Sequence, residues 1–205
     1  MKILFQGDSI TDCLRSRDED RYMGMGYPTL VSAELSLDNP GKYEFVNRGI
    51  SGNRVVDLYA REKSDIINLA PDVMSIFIGV NDAWHEFDWA NGVTPERFYD
   101  VYCMLIDDVR SVLPNIKMII LEPFVIDSTI TQGRYEAFRG AVEERAAMAK
   151  KVAQKYGFPF IPLQSYFDEL VKIAPATVWC TDGVHPTDAG HEFIKRKWIE
   201  AFKTL

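Results

Sequence analysis

Cysteine is scarce in this sequence, which contains only Cys13, Cys103 and Cys180. The number is odd, the three positions are far apart, and their spacing matches no metal-binding motif. We therefore expect reduced thiols, no metal site and a cytoplasmic location, because structural disulfides belong to oxidising compartments.

Long apolar runs are also missing. No stretch approaches the roughly 18 apolar residues of a membrane span. The start, Met1-Lys2 followed at once by a short apolar run, lacks the longer hydrophobic segment and the cleavage site of a signal peptide. These absences argue against a membrane partner.

Basic residues are outnumbered, with 23 Lys and Arg against 30 Asp and Glu and a net charge of -7. Nucleic acids and anionic membranes are bound by basic patches, so we expect neither as a partner. Repeats, low-complexity segments and linkers are absent as well. A length of 205 residues then predicts a single domain over residues 1–205.

Short apolar runs alternate with helical patterns along the whole chain. The predicted strands lie near residues 3–7, 43–47, 73–78, 117–121 and 158–161. The predicted helices cover about 27–37, 54–67, 95–112, 135–156 and 166–173, and a last one follows Pro186. This alternation predicts an α/β fold, a three-layer α/β/α arrangement with a five-stranded parallel sheet in the flavodoxin-like order 2-1-3-4-5.

That order places the turns after strands 1, 2 and 3 at one edge of the sheet. These turns contain Ser9, Gly49 and Asn81. Ser9 is a candidate nucleophile, and the N–H groups of Ser9 and Gly49 with the Asn81 amide are candidate donors to an oxyanion. Taken singly, each residue is equally typical of an ordinary turn.

Asp182 and His185 are three residues apart in a loop that contains glycine and proline. This spacing allows the carboxylate to hold one imidazole nitrogen while the other accepts a proton, as in a Ser-His-Asp triad. His191, at the start of the last helix, is expected to cap or pack, and His85 to lie beside a pocket without acting as the base.

The motifs together resemble those of the SGNH hydrolases, also called the GDSL family. The resemblance is carried by Gly7-Asp8-Ser9, Gly49, Gly79-x-Asn81-Asp82 and Asp182-x-x-His185-Pro186, and it spans essentially the whole chain. Ile10 stands where the family name has leucine and Val80 varies within the third motif, at positions without a chemical role. A narrower resemblance, to intracellular SGNH-type acetylxylan esterases, is carried by residues 47–53, Gly79 to Trp84 and Pro123-Phe124.

The resemblance implies a serine esterase that needs no cofactor or metal and hydrolyses small acyl esters, such as acetylated xylo-oligosaccharides. It leaves self-association into a homo-oligomer open. The expected substrate-binding residues are Asp8, Asn53, Trp84, Phe124 and Trp179. The large rings would leave room for a methyl group and stack on a sugar, unless they only line the core.

Two alternatives remain open. A lysophospholipase or thioesterase of the same fold would need an apolar trough, and no inserted apolar lid segment is evident. A flavodoxin-like module that binds a phosphorylated ligand would need a glycine-rich phosphate cradle after strand 1, which the sequence lacks. The charged segment Arg15 to Arg21 is expected to be a solvated loop or a contact at the rim of the site.

Overall fold

The computed structural model describes residues 1–205 and contains one five-stranded parallel sheet. The strands are β1 (Lys2–Gly7), β2 (Glu44–Asn47), β3 (Val73–Phe77), β4 (Lys117–Leu121) and β5 (Phe160–Ile161). Their order is β2-β1-β3-β4-β5, which confirms the predicted topology.

Ten helices surround the sheet. They are α1 (Ser9–Asp12), α2 (Tyr27–Asp38), α3 (Val55–Ala60), α4 (Glu62–Asp65), α5 (Val80–Trp89), α6 (Pro95–Val112), α7 (Tyr135–Tyr156), α8 (Leu163–Ile173), α9 (Ala176–Trp179) and α10 (Asp188–Phe202). A single 3-10 turn covers Ile67–Leu69. No helix combines the length and apolar character that crossing a bilayer requires.

The two faces of the sheet bury separate cores because successive side chains of a strand point to opposite sides. Ile3 and Phe5 of β1 belong to a core that includes residues of α2 and α10. Leu4, between them, belongs to the opposite core, which includes residues of α3 and α6. Helices therefore cover both faces, as the sequence pattern predicts.

Strand register brings the predicted site turns to one edge of the sheet. Gly7 lies opposite Phe77 of β3, and Phe5 lies opposite Asn47 of β2. The N–H of Ile50 donates to the Gly7 carbonyl at 3.0 Å, so the turn after β2 is tied to the end of β1.

The helices differ from the sequence prediction in two ways. The helices α1, α5 and α9 were not predicted, and the helix expected over 54–67 is divided into α3, α4 and the 3-10 turn. The break falls at Arg61, whose φ of -117° and ψ of 12° leave the helical region. Its guanidinium reaches back to the Arg48 carbonyl and the Asn53 side chain, and we attribute the break to this long-range contact.

Candidate active site

Ser9 is the first residue of α1, directly beyond the end of β1. Asp8 caps this short helix by accepting a hydrogen bond from the Ile10 N–H at 3.0 Å. A Cβ atom at Gly7 would lie 2.4 Å from the Phe77 carbonyl oxygen, so only glycine permits this close packing of the strand end. The Ser9 hydroxyl lies at the surface edge of the sheet, with its Oγ 2.9 Å from Nε2 of His185.

The loop from Asp182 to His185 folds the carboxylate onto the imidazole. One carboxylate oxygen accepts from the N–H groups of Val184 and His185, at 2.9 and 2.8 Å. The other lies 2.6 Å from Nδ1 of His185. Gly183 has a φ of +104° and a Cβ there would lie 2.5 Å from the Ile126 carbonyl oxygen, so the turn requires glycine.

The hydrogen bonds determine the charge states of this pair. Burial alone would raise the pKa of Asp182, but the hydrogen bonds from His185 and from the two backbone N–H groups lower it overall. The same side-chain hydrogen bond raises the pKa of His185 against the opposing effect of its own burial. The ionised carboxylate therefore accepts from Nδ1–H, which leaves the lone pair of Nε2 facing the Ser9 hydroxyl.

Asn81 lies in the first turn of α5, next to the end of β3. Its Nδ2 donates to the Asn53 carbonyl at 3.1 Å, which holds the side chain and leaves its second amide hydrogen without an intrachain acceptor. Asp82, fully buried, accepts from the Val55 N–H with both oxygens and so ties α5 to the start of α3. Burial raises the pKa of Asp82 to about 8.

The structure corrects the predicted role of Gly49. Its N–H is not free for an oxyanion, because it donates to Oδ1 of Asn47 at 2.9 Å. A Cβ at Gly49 would lie 2.4 Å from the Asp12 nitrogen, so this glycine permits close contact with α1 and does not face a substrate. The Asn47 amide also donates to the Thr11 and Met23 carbonyls, at 2.6 and 2.8 Å.

Gly52 has the free N–H that was expected of Gly49. No backbone or side-chain acceptor lies opposite its nitrogen, and the residue adopts a φ of +81° with open space around its Cα. It directly precedes Asn53, whose carbonyl holds the Asn81 amide. The Ser9 N–H likewise has no intrachain acceptor. Sequence reasoning missed Gly52 because both glycines occur in the same turn.

The five predicted substrate-binding residues fall into three groups. Trp84 lies beside the site, with its ring centroid 6.2 Å from that of His185, and its indole N–H donates to Asp88. Asp8 and Phe124, by contrast, are only 1 % and 0 % exposed. Phe124 is stacked on Phe167 at 4.0 Å within the core. Neither side chain is accessible to a substrate, and these two predictions are corrected.

The remaining two predicted substrate-binding residues, Asn53 and Trp179, make hydrogen bonds within the protein. The Asn53 side chain accepts from Nε of Arg61, while its carbonyl holds Asn81. The half-buried Trp179 donates its indole N–H to the Ala174 carbonyl at 3.3 Å and packs at the edge of the core below α10. Their roles toward a substrate stay predictions.

The other histidines lie outside the hydrogen-bond chain of Ser9. Nδ1 of the buried His191 accepts from the Tyr27 N–H at 3.2 Å, and burial lowers the pKa of His191 to about 4. His85 packs edge-on against Trp89 with a centroid distance of 4.7 Å. No group of three or more His, Cys, Asp or Glu side chains is arranged to hold a metal ion.

Comparison with known proteins shows which family the chain belongs to. The sequence model of the GDSL-like lipase/acylhydrolase family matches residues 5–193. An acetylxylan esterase from Geobacillus stearothermophilus is 35% identical over 97% of this chain and 92% of its own length. A crystal structure from Parabacteroides merdae, described as a GDSL-like lipase, superposes with a TM-score of 0.92 at 36% identity, covering 98% of this chain and 95% of the other.

Two further solved structures are similar over the same extent. A catalytic mutant of the Geobacillus stearothermophilus acetylxylan esterase gives a TM-score of 0.87 at 31% identity, covering 98% of this chain and 93% of the other. An alpha/beta hydrolase enzyme from the metagenome of Lake Arreo gives 0.88 at 30% identity, with 98% and 94% covered. The chain therefore belongs to the GDSL-like lipase/acylhydrolase family and is a carboxylic ester hydrolase.

Proposed function

We propose that this enzyme removes acetyl groups from acylated carbohydrates through an acyl-enzyme on Ser9. The observation that carries the proposal is the continuous hydrogen-bond chain from the Ser9 hydroxyl through His185 to Asp182, with distances of 2.9 and 2.6 Å. This is the arrangement that activates a serine hydroxyl for attack on an ester carbonyl.

Acylation begins when Ser9 Oγ attacks the carbonyl carbon of the ester. As the new C–O bond forms, the hydroxyl proton moves to Nε2 of His185, and the imidazolium is stabilised by the Asp182 carboxylate. The tetrahedral intermediate then collapses with cleavage of the bond to the alkoxide, which takes the proton from Nε2 and leaves as the free alcohol.

Deacylation repeats these steps with water in place of serine. Water attacks the acetyl carbonyl while His185 accepts its proton, and the collapse of the second intermediate returns that proton to Ser9 Oγ. Acetate leaves and the free enzyme is restored.

The negative oxygen of both intermediates is assigned three donors, the N–H groups of Ser9 and Gly52 and the free amide hydrogen of Asn81. Gly52 takes the place of Gly49, whose N–H is already bonded to Asn47. Donors fixed before the reaction stabilise charge as it develops, and one such donor accounts for about 10²–10³ in kcat.

The preference for an acetyl group rests on Trp84 and on the relatives. The Trp84 ring is held edge-on against Phe138 at 5.8 Å and by its hydrogen bond to Asp88, so it is fixed beside His185. A rigid ring at this place limits the room next to the reacting carbon and offers an apolar face to a sugar. One of the similar proteins described above, from Geobacillus stearothermophilus, is an acetylxylan esterase by name.

Replacement of the nucleophile tests the chemistry. We expect Ser9→Ala to abolish hydrolysis of p-nitrophenyl acetate and labelling by a fluorophosphonate probe, while the melting temperature changes little. Ser165→Ala, at an exposed serine whose hydroxyl donates to the Pro162 carbonyl, is the matched control and should keep full activity. Turnover by Ser9→Ala above a few per cent of wild type would contradict the acyl-enzyme mechanism.

The preference for a sugar as the alcohol part of the ester is tested by measuring acetate release from a panel of acetylated substrates. We expect acetylated xylo-oligosaccharides and other acetylated sugars to be hydrolysed with higher kcat/KM than acetyl esters of simple alcohols. Equal kcat/KM for sugar and non-sugar acetates would contradict carbohydrate recognition and leave the ester chemistry intact.

A further inference from the structure

The turn formed by residues 48–53, called here the Gly52 turn, is held from outside by three arginines. Nε of Arg15 and Nη1 of Arg17 both donate to the Gly49 carbonyl, at 2.8 and 3.0 Å. Nη1 of Arg61 donates to the Arg48 carbonyl at 2.8 Å. The sequence alone left a solvated loop or a contact at the rim of the site open for Arg15 to Arg21, and the guanidinium groups of Arg15 and Arg17 bind the backbone of this turn.

Asp12 holds the same turn from the side of α1. The oxygen Oδ2 of this buried carboxylate accepts from the Ser51 N–H at 2.9 Å and from the Ser51 hydroxyl at 3.0 Å. It also pairs with Arg17, so that one oxygen joins the turn to one of the arginines on it. The Asp12 side chain is 4% exposed and that of Arg17 is 51% exposed, so the carboxylate lies beneath the guanidinium.

This arrangement keeps cationic groups close together. Burial, followed by the neighbouring cations Arg17, Arg48 and Arg61, lowers the pKa of Arg15 to about 10 against the attraction of Asp12. Arg15 has no carboxylate of its own within ion-pair distance. Its main hydrogen bond outside its own loop is to the Gly49 carbonyl, which indicates that its contribution is to hold the turn.

We propose that Asp12 is a positioning residue for the oxyanion site, which fixes the direction of the Gly52 N–H by holding Ser51 through two hydrogen bonds. The inference rests on the proposed function, because it assigns Gly52 a donor role in the acyl transfer. Asp12 lies three residues after Ser9 on α1, so one four-residue helix carries the nucleophile and fixes a donor from another strand end. The positions of nucleophile and donor are thereby coupled.

The physical basis is the peptide unit that Ser51 shares with Gly52. The Ser51 carbonyl and the Gly52 N–H belong to one planar unit attached to the Ser51 Cα. Asp12 holds the Ser51 N–H and hydroxyl, so the position of this Cα is fixed and only rotation about ψ of Ser51 can still redirect the Gly52 N–H. Gly52, with its φ of +81°, has no side chain to restrain it and nothing within 4 Å of a built Cβ. Without Asp12 the turn would rotate at its most permissive residue, and catalysis is sensitive to small displacements of such donors.

The experiment compares Asp12→Ala and Asp12→Asn with a matched control. Asp12→Asn keeps an oxygen acceptor for Ser51, whereas Asp12→Ala removes it. The control is Asp168→Ala, at a carboxylate of α8 that accepts from Arg139 and Gln164 and makes no hydrogen bond to the Gly52 turn or to α1. The readouts are kcat per active site, counted by fluorophosphonate titration, and KM for p-nitrophenyl acetate.

We expect Asp12→Ala to lower kcat per titrated site by about 10- to 100-fold, less than the 10²–10³ of a lost donor, with KM within about twofold. Asp12→Asn should recover a large part of this loss, and Asp168→Ala should keep kcat within about twofold. A purely structural role would reduce the melting temperature and the number of titrated sites but leave kcat per site unchanged. That result, or a change confined to KM, overturns the inference.

Ser51→Ala provides the second arm if Asp12→Ala fails to fold. It removes only the hydroxyl hydrogen bond and should lower kcat per site by a smaller factor of about two to five, with a native melting temperature. Unchanged kcat per site in Ser51→Ala would overturn the inference. Failure of the proposed function is separate, because it would appear as activity of the wild-type enzyme that does not depend on Ser9.

Discussion

At the scale of single residues, replacement of Asn81 distinguishes a role in stabilising the oxyanion from a role in binding the substrate. Its second amide hydrogen is free, while the first is bonded to the Asn53 carbonyl. We expect Asn81→Ala to lower kcat by about 10²–10³ with little change in KM, because the hydrogen bond strengthens only as charge develops. Steady-state kinetics on p-nitrophenyl acetate measures both. A loss confined to KM would show that Asn81 binds the ground state.

Under the proposed mechanism, His185 determines the pH dependence of the reaction. Its hydrogen bond to Asp182 raises the pKa of the imidazole above the ordinary value of 6.5. Only neutral His185 accepts the Ser9 proton, so kcat/KM should fall as the pH decreases through that raised pKa. Buried Asp8, whose pKa burial raises to about 7, lies near enough to influence the same titration.

Asp182→Asn tests whether Asp182 is the cause of the raised pKa of His185. It removes the charge that stabilises the imidazolium, so the midpoint of the kcat/KM profile should move to lower pH and kcat should drop by more than about 10². Profiles measured between about pH 5 and 9 give both values, with His191→Gln as the control that leaves the midpoint in place. A midpoint that Asp182→Asn does not move would contradict the assigned orientation of His185.

The triad could be predicted from sequence because Asp182 and His185 lie three residues apart and because Ser9 directly follows a strand. The oxyanion donor in the turn after β2 could not be predicted from sequence. Whether Gly49 or Gly52 keeps a free N–H depends on the Asn47 side chain, which folds back onto Gly49 and onto two carbonyls of other segments. The burial of Phe124 also depends on tertiary packing, since its ring is stacked on rings of β3 and α8.

At the scale of elements, the strands and the long helices were predictable and the short helices were not. The apolar runs of β1, β3 and β4 are bounded by turn residues, and α6 and α7 have regular apolar faces. α5 lacks a helix start signal, because it begins after Gly79 without a side-chain cap and its first turn contains Asn81 and Asp82, which are typical of turns. Its stability comes from tertiary contacts, such as Trp84 on Phe138 and Asp82 on the Val55 N–H.

The contact between α10 and α2 predicts how stability depends on pH. His191 of α10 accepts from the Tyr27 N–H of α2. Burial lowers the pKa of His191 to about 4, against 6.5 when exposed. Between these values the unfolded chain binds more protons than the folded one, so stability falls as the pH decreases. The shift corresponds to about 3 kcal/mol of unfolding free energy.

His191→Gln should remove this contribution while leaving kcat within a few-fold of wild type. Urea unfolding at about pH 7 and pH 4.5 measures the difference between the two proteins. The buried Asp8 and Asp82, whose pKa values are raised to about 7 and about 8, titrate with the opposite sign and are present in both proteins, so their effects cancel in the comparison. Equal pH dependence in wild type and variant would contradict a buried neutral His191.

At the scale of the whole molecule, the fold brings groups from five separated segments to one edge of the sheet. Ser9 follows β1, Gly52 follows β2, Asn81 follows β3, and His185 lies before the last helix. The loop after β4 supports the last of these, since Ile126 N–H donates to the Gly183 carbonyl at 2.9 Å. The cytoplasmic location expected from the sequence stays a prediction, and self-association stays open.

The rigid Trp84 ring is expected to limit the length of the acyl group that this edge of the sheet accepts. Trp84 is fixed beside His185 by Asp88 and Phe138, and Asp88 is itself paired with Arg134. Because the ring is held on two sides, it cannot turn aside at low cost to admit a longer chain. We expect kcat/KM for p-nitrophenyl esters to be highest for acetate, to fall at butyrate and to be nearly absent at octanoate.

Trp84→Ala should shift this profile toward longer chains by removing the ring, whereas Trp89→Ala, at an exposed tryptophan one helical turn further on, should leave it unchanged. The kcat/KM ratio of butyrate to acetate is the quantity to compare, because it is independent of the fraction of active enzyme. A wild-type maximum at octanoate or beyond would reject the acetylesterase assignment and favour a lysophospholipase or thioesterase. A Trp84→Ala profile identical to wild type would instead keep the acetyl preference and place its origin elsewhere in the site.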